Sequence, residues 1–158
     1  MRKTLPILIL SLLITLYVLT FSYLSLARHW SFQTAKLDLG INHQAVWSTA
    51  HGRPFHQTES SALAYHFEPI ILLLAPFLLI WDKAEALLVV QTVILVLGAV
   101  PIFLIARDIL KNDFLALVFP LAYLLSPALQ AANLADFHTA PLAVPLFLFA
   151  CYFALRRQ

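Results

Sequence analysis

Residues 69–81 read Pro-Ile-Ile-Leu-Leu-Leu-Ala-Pro-Phe-Leu-Leu-Ile-Trp, an uninterrupted apolar stretch that decides how the chain crosses a membrane. A helix needs about 20 apolar residues to cross the hydrocarbon core, and runs of about 10–14 residues more often re-enter the bilayer or lie along its surface. We therefore predict a short helix over 69–81 that dips into the membrane and returns to the side from which it came.

The composition around this stretch is that of a membrane protein. Of the 158 residues, 61% are hydrophobic and 11% are charged, whereas a soluble domain carries about 25% charged residues. So few charges cannot cover a water-facing surface, which makes the lipid bilayer the expected partner. The net charge of +2 is too small to argue for a nucleic-acid partner. The single cysteine, Cys151, cannot form a disulfide within one chain.

Four longer apolar runs flank the short one, and each is predicted to span the membrane as a helix. They cover residues 5–27, 86–106, 114–132 and 140–155. The first run could instead be a cleaved signal peptide, since it ends in Ser-Leu-Ala, but it is longer than the roughly 7–15 apolar residues of a signal. The predicted fold is all-α: one polytopic transmembrane domain over 1–158, with about four spans and one re-entrant or interfacial helix.

The positions of the basic residues orient these spans. The close basic clusters are Arg2/Lys3, Arg107/Lys111 and Arg156/Arg157. If 69–81 dips and returns, all three clusters lie in the cytoplasm, as the positive-inside rule requires, whereas a crossing would put two of them outside. We therefore predict a multi-pass protein of a prokaryotic plasma membrane with both termini cytoplasmic.

This topology puts the polar segments on the outer face, where their acids and histidines can meet in one site. The segments are the outer loop 28–68, the connector 82–85 and the loop 133–139. The residues that can meet there are Asp38, His66, Asp136 and His138. A carboxylate at membrane depth costs at least about 2.5 kcal/mol on insertion scales, so membrane proteins usually keep one for a functional reason.

Each carboxylate also has a structural interpretation. Asp38 opens a predicted amphipathic surface helix over 37–50, on which Leu37, Ile41 and Ala45 recur at helical spacing, and it could be the N-cap of that helix. Asp136 could likewise reach water and cap the helix that follows. As a functional group, Asp38 is a candidate general base or a ligand of a divalent metal.

The remaining polar residues give weaker signals. The outer histidines lack the short, fixed spacing of a structural zinc site, so each is interpreted first as an interfacial or hydrogen-bonded residue. His66, which precedes the re-entrant segment, is the one expected to face the site. The outer basic residues Arg28, Lys36 and Arg53 either hold a phosphate or lie beside lipid headgroups.

A second line of inference comes from motifs spread over nearly the whole chain. They are Asp38-Leu39-Gly40-Ile41, Gln44, Trp47, Thr49-Ala50-His51-Gly52-Arg53-Pro54-Phe55, His66-Phe67-Glu68-Pro69, Gln91, Ser126-Pro127-Ala128, Asn133 and Asp136-Phe137-His138. Together they resemble the N-terminal portion of domain-of-unknown-function family 2079, predicted polytopic membrane proteins grouped with the GT-C glycosyltransferases. GT-C enzymes use lipid-phosphate-linked sugars.

The resemblance implies a GT-C-like N-terminal module and a role for each site residue. Asp38 takes the place of the carboxylate in the first outer loop, which in GT-C enzymes activates the acceptor or holds a metal. Arg53 or Arg28 contacts the donor phosphate. The implied substrate-binding residues are Gln44, Trp47, Arg53, His66, Asp136 and His138. A polyprenyl-phosphate sugar is the implied donor, and a divalent metal is a possible cofactor.

Two other functions compete with glycosyl transfer. Because the resemblance covers only the N-terminal portion of the family, the chain could be truncated, inactive or one part of a split protein whose further spans come from a partner. It would then be a non-catalytic membrane subunit or scaffold that binds a partner through its outer loop. The third function is transport, with Asp136 as an intramembrane ion or proton site. Transporters tend to show matching broken helices in two halves, and the sequence shows no such symmetry.

Overall fold

The computed structural model describes residues 4–56 and 68–157, and every secondary-structure element in those two ranges is a helix or a helical turn. These described ranges contain nine α-helices. They are α1 Leu5–Trp30, α2 Ile41–Ala50, α3 Ile70–Ile80, α4 Ala84–Val96, α5 Ala99–Leu110, α6 Asp113–Ala116, α7 Val118–Leu124, α8 Pro127–Leu134 and α9 Ala143–Arg156. A π-helical turn, Lys36–Gly40, leads into α2, and a 3₁₀ turn, Ala140–Leu142, leads into α9.

In the part of the chain that the structure describes, two helical units are long and apolar enough to cross a bilayer, and a bent pair of helices could form a third span. The two are α1, with 26 residues, and the near-continuous unit Ala84–Leu110, with 27 residues. The third is the pair Asp113–Leu124 and Pro127–Leu134, bent by 46°. The helical stretch Ala140–Arg156 is shorter. The chain is therefore an all-helical membrane protein with two to three candidate spans, and a fourth crossing over 140–155 stays a prediction.

The predicted span over 114–132 is broken in the middle. α7 ends at Leu124, and α8 begins at Pro127 after an extended Ser126 with φ −61° and ψ 123°. A residue before proline is pushed out of the helical region by the proline ring, and proline is well suited to the first turn of a new helix. Ser126-Pro127 therefore ends one helix and starts the next, so the predicted span over 114–132 corresponds to a bent pair of helices.

Two buried clusters divide the interior. The site-end core joins α2, α3, the start of α4 and the loop before α9; it contains Leu39, Ala45, Val46, Ile71, Leu74, Ala75, Leu78, Ala86, Leu87, Leu88, Phe137 and Leu142. The far core is formed by side chains from α1 and from α4, α5, α6, α7 and α8. It contains Leu10, Tyr17, Leu95, Val96, Ala99, Phe103, Ala106, Ala116, Leu124 and Leu129. All four buried residues of α3 belong to the site-end core.

The short helix α3 therefore lies alongside α2 in one layer of the molecule. One face of α3 packs against α2, while Leu73, Leu79 and Ile80 on its other face are 64–86% exposed. Its bounds, Ile70–Ile80, agree closely with the predicted short helix over 69–81. A lipid-exposed apolar face and a packed apolar face explain why the segment is apolar all round.

The residues of this segment that pack into the protein do not follow a single helical period. Leu37 is 75% exposed, whereas Leu39, Ala45 and Val46 are at most 3% exposed, and the predicted contact of Leu37, Ile41 and Ala45 with the membrane surface stays a prediction. The π-helical turn Lys36–Gly40 precedes α2, and a π turn bonds residue i to i+5 instead of i+4. The wider turn shifts the side chains before Ile41 relative to those after it, so a single 3.6-residue period across 37–50 fails.

Basic residues gather at the end of the bundle opposite to the site-end core. α5 ends with Arg107 and Asp108, and Asp108 lies 3.9 Å from Arg156 at the end of α9. The unit Ala84–Leu110 has 27 residues, so at about 1.5 Å rise per residue it separates these charges from Asp82 by about 40 Å.

Candidate functional site

Asp38 and His138 face each other at the outer surface of the site-end core. His138 Nε2 lies 3.4 Å from Asp38 Oδ1, and the two side chains are 44% and 47% exposed, respectively. Asp38 lies in the π-helical turn and His138 in the loop before the 3₁₀ turn. The structure thus brings together two of the predicted site residues and leaves both open to solutes.

The His138 ring is oriented from both nitrogens. Its Nδ1 lies 2.7 Å from the backbone oxygen of Asp136. A carbonyl oxygen only accepts, so Nδ1 carries a proton and donates it. This contact turns Nε2 toward the Asp38 carboxylate.

Asp136 joins the site through its own carboxylate. Its Oδ2 accepts a hydrogen bond from the backbone N–H of Ala35, a residue 101 positions away. The 3₁₀ turn that follows has Thr139 at its N-cap and no side-chain cap. Asp136 therefore ties the outer segment before the π-helical turn to the loop before α9, and the interpretation of Asp136 as a cap of the next helix is wrong.

Asn42 holds the same two segments together from α2. Its Nδ2 donates to the backbone oxygen of Asp38 at 2.9 Å and lies 3.3 Å from the backbone oxygen of Phe137. Phe137 itself is fully buried in the site-end core, so the aromatic ring anchors the loop that carries His138. No local pattern singles out Asn42, because its second partner, Phe137, lies 95 positions away in the chain.

Buried amides support the loop from below. Gln91 on α4 is fully buried, and its Oε1 accepts the backbone N–H of His138 at 3.0 Å. Asn133, also fully buried, has its Oδ1 3.1 Å from the Thr92 hydroxyl, and its backbone oxygen accepts from the Ser25 hydroxyl at 3.3 Å. These contacts join α1, α4 and the end of α8 beneath the Asp38–His138 pair.

Asp38, Gln91, Asn133 and Asp136-Phe137-His138, all taken from the motifs quoted above, therefore lie on one connected structure. Residues 28–158 match the family model described as predicted membrane protein (DUF2079). The chain belongs to this family. No curated protein and no solved structure matches this chain.

The other predicted site residues of this DUF2079 protein lie along α2 and its C-terminal turn. Trp47 packs partly buried against the site-end core and stacks on His51, with ring centroids 4.0 Å apart. Gln44 is half-buried on the same helix, and Arg53 is exposed just beyond it. Arg53 forms no hydrogen bond or ion pair with Asp38 or His138. His66 lies in 57–67, outside the described residues.

His43 is a further polar residue near the site that the sequence did not single out. It lies half-buried on α2, and its Nε2 is a buried atom without a hydrogen-bond partner among residues 4–56 and 68–157. Burial lowers the pKa of His43 below 6.5, against the opposing effects of Asp82 and then Glu85. The neutral form of His43 is therefore favoured beside an otherwise charged connector.

The metal-binding hypothesis for Asp38 has two groups in place. Asp38 and His138 offer a carboxylate and an imidazole, both common metal ligands. Within 4–56 and 68–157, no group of three His, Cys, Asp or Glu side chains gathers in a way that could hold an ion. A divalent metal at Asp38 therefore stays a prediction.

An open groove begins beside His138, at Thr139. It runs between the start of α3 and the start of α9, and its lining is formed by Glu68, Pro69, Ile70, Thr139, Ala140, Ala143 and Leu146. Leu146 is 59% exposed on the lipid-facing side of α9. The groove thus connects the polar site with the apolar flank of the bundle.

Proposed function

We propose that this DUF2079 protein is a GT-C-like membrane glycosyltransferase module that uses a lipid-phosphate-linked sugar. The observation that carries the proposal is the half-exposed Asp38–His138 pair, in which the carboxylate faces a correctly oriented imidazole at 3.4 Å. A carboxylate held in this way at the bilayer surface can meet both a water-soluble acceptor and the headgroup of a lipid donor.

The proposed reaction is one displacement at the anomeric carbon. Asp38 takes the proton of the acceptor hydroxyl, the acceptor oxygen forms a bond to the anomeric carbon, and the bond from that carbon to the phosphate oxygen breaks. The polyprenyl phosphate leaves with the electron pair and one more negative charge, and a single displacement inverts the anomeric configuration. With both ring nitrogens protonated, His138 donates from Nδ1 to the Asp136 carbonyl and from Nε2 to Asp38, which holds the carboxylate in place.

The charge that develops on the leaving phosphate needs a partner. Arg53 and Arg28, both exposed on the outer segment, are the proposed phosphate contacts, and a divalent metal at Asp38 would serve the same purpose. Gln44, Trp47, His66 and Asp136 complete the proposed substrate-binding set, with Asp136 acting through the segment that it holds.

The proposed topology has four crossings with both termini on the cytoplasmic side of a prokaryotic plasma membrane. The fourth crossing is the stretch Ala140–Arg156, and α3 dips without crossing. Two features support this arrangement. The basic residues Arg107 and Arg156 lie at the end opposite to Asp38, and α3 packs along α2 in the site-end core.

The catalytic assignment is tested with the full chain reconstituted in liposomes. Wild-type protein and Asp38→Asn are each supplied with a panel of polyprenyl-phosphate sugars, and sugar transfer to water or to a hydroxyl acceptor is measured. Loss of a general base lowers such rates by about 100- to 10,000-fold, so we expect the variant to lose transfer to that extent.

The matched control is Asp108→Asn, which makes the same change in an exposed aspartate at the opposite end of the bundle. It should transfer sugar as the wild type does. Equal rates for Asp38→Asn and wild type, or no transfer by wild type with any donor in the panel, would contradict the assignment.

The second candidate function is a non-catalytic subunit that joins further spans. It is favoured by α1, of whose most apolar window only 11% is buried, against 50% for Ala84–Leu110. Leu8, Leu12 and Leu19 on α1 are 63–67% exposed, a face that either lipid or the helices of a partner would cover. The liposome assay separates the two candidates, because a subunit of this kind transfers no sugar by itself.

A further inference from the structure

We infer that Gln91 is a positioning residue that sets the His138 backbone, and through it the ring, opposite Asp38. Gln91 has no exposed surface and lies in the second turn of α4, inside one of the two long membrane-spanning units. An amide at that depth is unfavourable unless it is hydrogen-bonded. All of the polar atoms of its side chain face the segment 132–138.

The two ends of the amide contact the two sides of one loop. Oε1 accepts the N–H of His138 at 3.0 Å. Nε2 lies 3.4 Å from the backbone oxygens of both Ala132 and Asn133, which belong to the last turn of α8, where helical carbonyls lack an intrahelical partner. Gln91 thus fixes both the residue at which the loop begins and the residue that carries the imidazole.

Position 91 is suited to this role because α4 is the best supported helix near the site. α4 packs against α1 along its length and also contacts α3, α8 and α9. Only a side chain with both a donor and an acceptor can bind the α8 carbonyls and the His138 N–H at once. An apolar residue of the same size would fill the space but would leave both sides of the loop unbound.

This inference concerns the geometry of the Asp38–His138 pair and does not depend on the transferase reaction. Its test therefore reads the imidazole itself. The full chain is labelled with ¹⁵N-histidine in nanodiscs, and the His138 signals are identified by their loss in His138→Gln. At a pH at which the ring holds one proton, the ¹⁵N shifts report which nitrogen carries it.

In wild type, the proton should lie on Nδ1, as the contact with the Asp136 carbonyl requires. Gln91→Met keeps the side-chain volume and removes both hydrogen bonds, so we expect loss of the single Nδ1–H form and averaged ring signals. Gln91→Glu places a fully buried carboxyl group at this position, where burial favours the neutral acid. The acid keeps an acceptor oxygen for the His138 N–H and an O–H donor for the α8 carbonyls, so we expect signals like those of wild type. If Gln91 served only for packing, Gln91→Met would keep the Nδ1–H signal of wild type and Gln91→Glu would lose it.

Gln130→Met is the matched control, because the Gln130 amide donates to the Leu124 carbonyl at 3.1 Å and does not contact the loop. It should leave the His138 signals unchanged. A wild-type Nδ1–H signal in Gln91→Met overturns the inference. If Gln91→Met does not fold, Gln91→Glu decides: a retained Nδ1–H form supports the role and a lost one overturns it. These readings hold whether or not the protein transfers sugar.

Discussion

At the scale of single residues, the site is built from polar groups whose partners lie far away in the chain. Asp136 bonds a residue 101 positions away, and Gln91 bonds one 47 positions away. The sequence could predict that Asp38, Asp136 and His138 share a compartment, because charge bias alone places their segments on one face. It could not predict which of these groups form hydrogen bonds with each other, since that depends on how α1, α2 and the loop before α9 pack.

His43 gives the residue-scale prediction of pH dependence. Because its pKa in the folded protein is lowered below 6.5, the unfolded chain takes up the proton first as the pH falls. The stability contributed by neutral His43 is therefore fully present above that value and is lost as the pH falls through the lowered pKa. His43→Gln should show a smaller fall in Tm between about pH 8 and about pH 5 than wild type.

The measurement is thermal unfolding in detergent, followed by circular dichroism. His51→Gln is the control, because His51 is exposed and should leave the pH dependence as it is in wild type. An equal fall in Tm for His43→Gln and wild type would show that the protonation of His43 does not contribute to the loss of stability at low pH.

At the scale of helices, the junction between α4 and α5 shows how a single long apolar run acquires structure. Gly98 lies in a turn of i to i+3 hydrogen bonds, with Gly98 N–H donating to the Leu95 carbonyl at 3.2 Å. The Tyr123 hydroxyl donates to the same carbonyl at 2.8 Å. Pro101 has no N–H to donate to the Leu97 carbonyl, which instead accepts from the Val100 N–H at 3.1 Å. The helix is thus locally tightened around Gly98, and α7 supplies a side-chain donor there.

Gly98→Ala should destabilise the protein. A Cβ at position 98 would lie 2.5 Å from Tyr123 Oη and 2.8 Å from Tyr123 Cζ, so the ring must move and lose its bond to Leu95. Overpacking of this kind costs about 1–3 kcal/mol. The measurement is the free energy of unfolding in mixed micelles. In a Tyr123→Ala background the same substitution should cost almost nothing, and an undiminished cost there would locate the strain elsewhere.

Helix ends were predictable only where the sequence carries local signals. α3 agrees with its prediction because length and composition decide it. The break at Ser126-Pro127 also carries a local signal, the proline. The apolar residues on both sides of it nevertheless favoured the prediction of a single span. The register of α2 had no such signal, because the π-helical turn is stabilised by contacts from Asn42 to Phe137 and from His138 to Asp38.

At the scale of the whole molecule, function depends on which sides of the bilayer the two ends of the bundle face. Asp38, Asp136 and His138 lie around the site-end core, and the pair Asp108–Arg156 lies at the other end. This separation makes the short helix α3 the critical element. If α3 crossed the membrane, Glu68 and Lys83 would lie on opposite sides.

Cysteine labelling tests this arrangement. In a Cys151→Ser background, Glu68→Cys and Lys83→Cys, which flank α3, should both react with a membrane-impermeant maleimide added outside intact cells. Asn112→Cys, at the far end of Ala84–Leu110, should react only after the membrane is opened. The Cys151→Ser protein without an added cysteine is the control for background. Reaction of positions 68 and 83 from opposite sides would refute the dipping helix.

The fixed tautomer of His138 also limits where a proton can travel. Nδ1 is committed to a backbone carbonyl, and an amide oxygen is far too weak a base to carry a proton onward. The imidazole therefore exchanges protons through one nitrogen only, toward Asp38 and the aqueous phase. Such a ring cannot relay protons into the bundle. The site can therefore exchange protons at the surface without opening a proton path through the bilayer along this route.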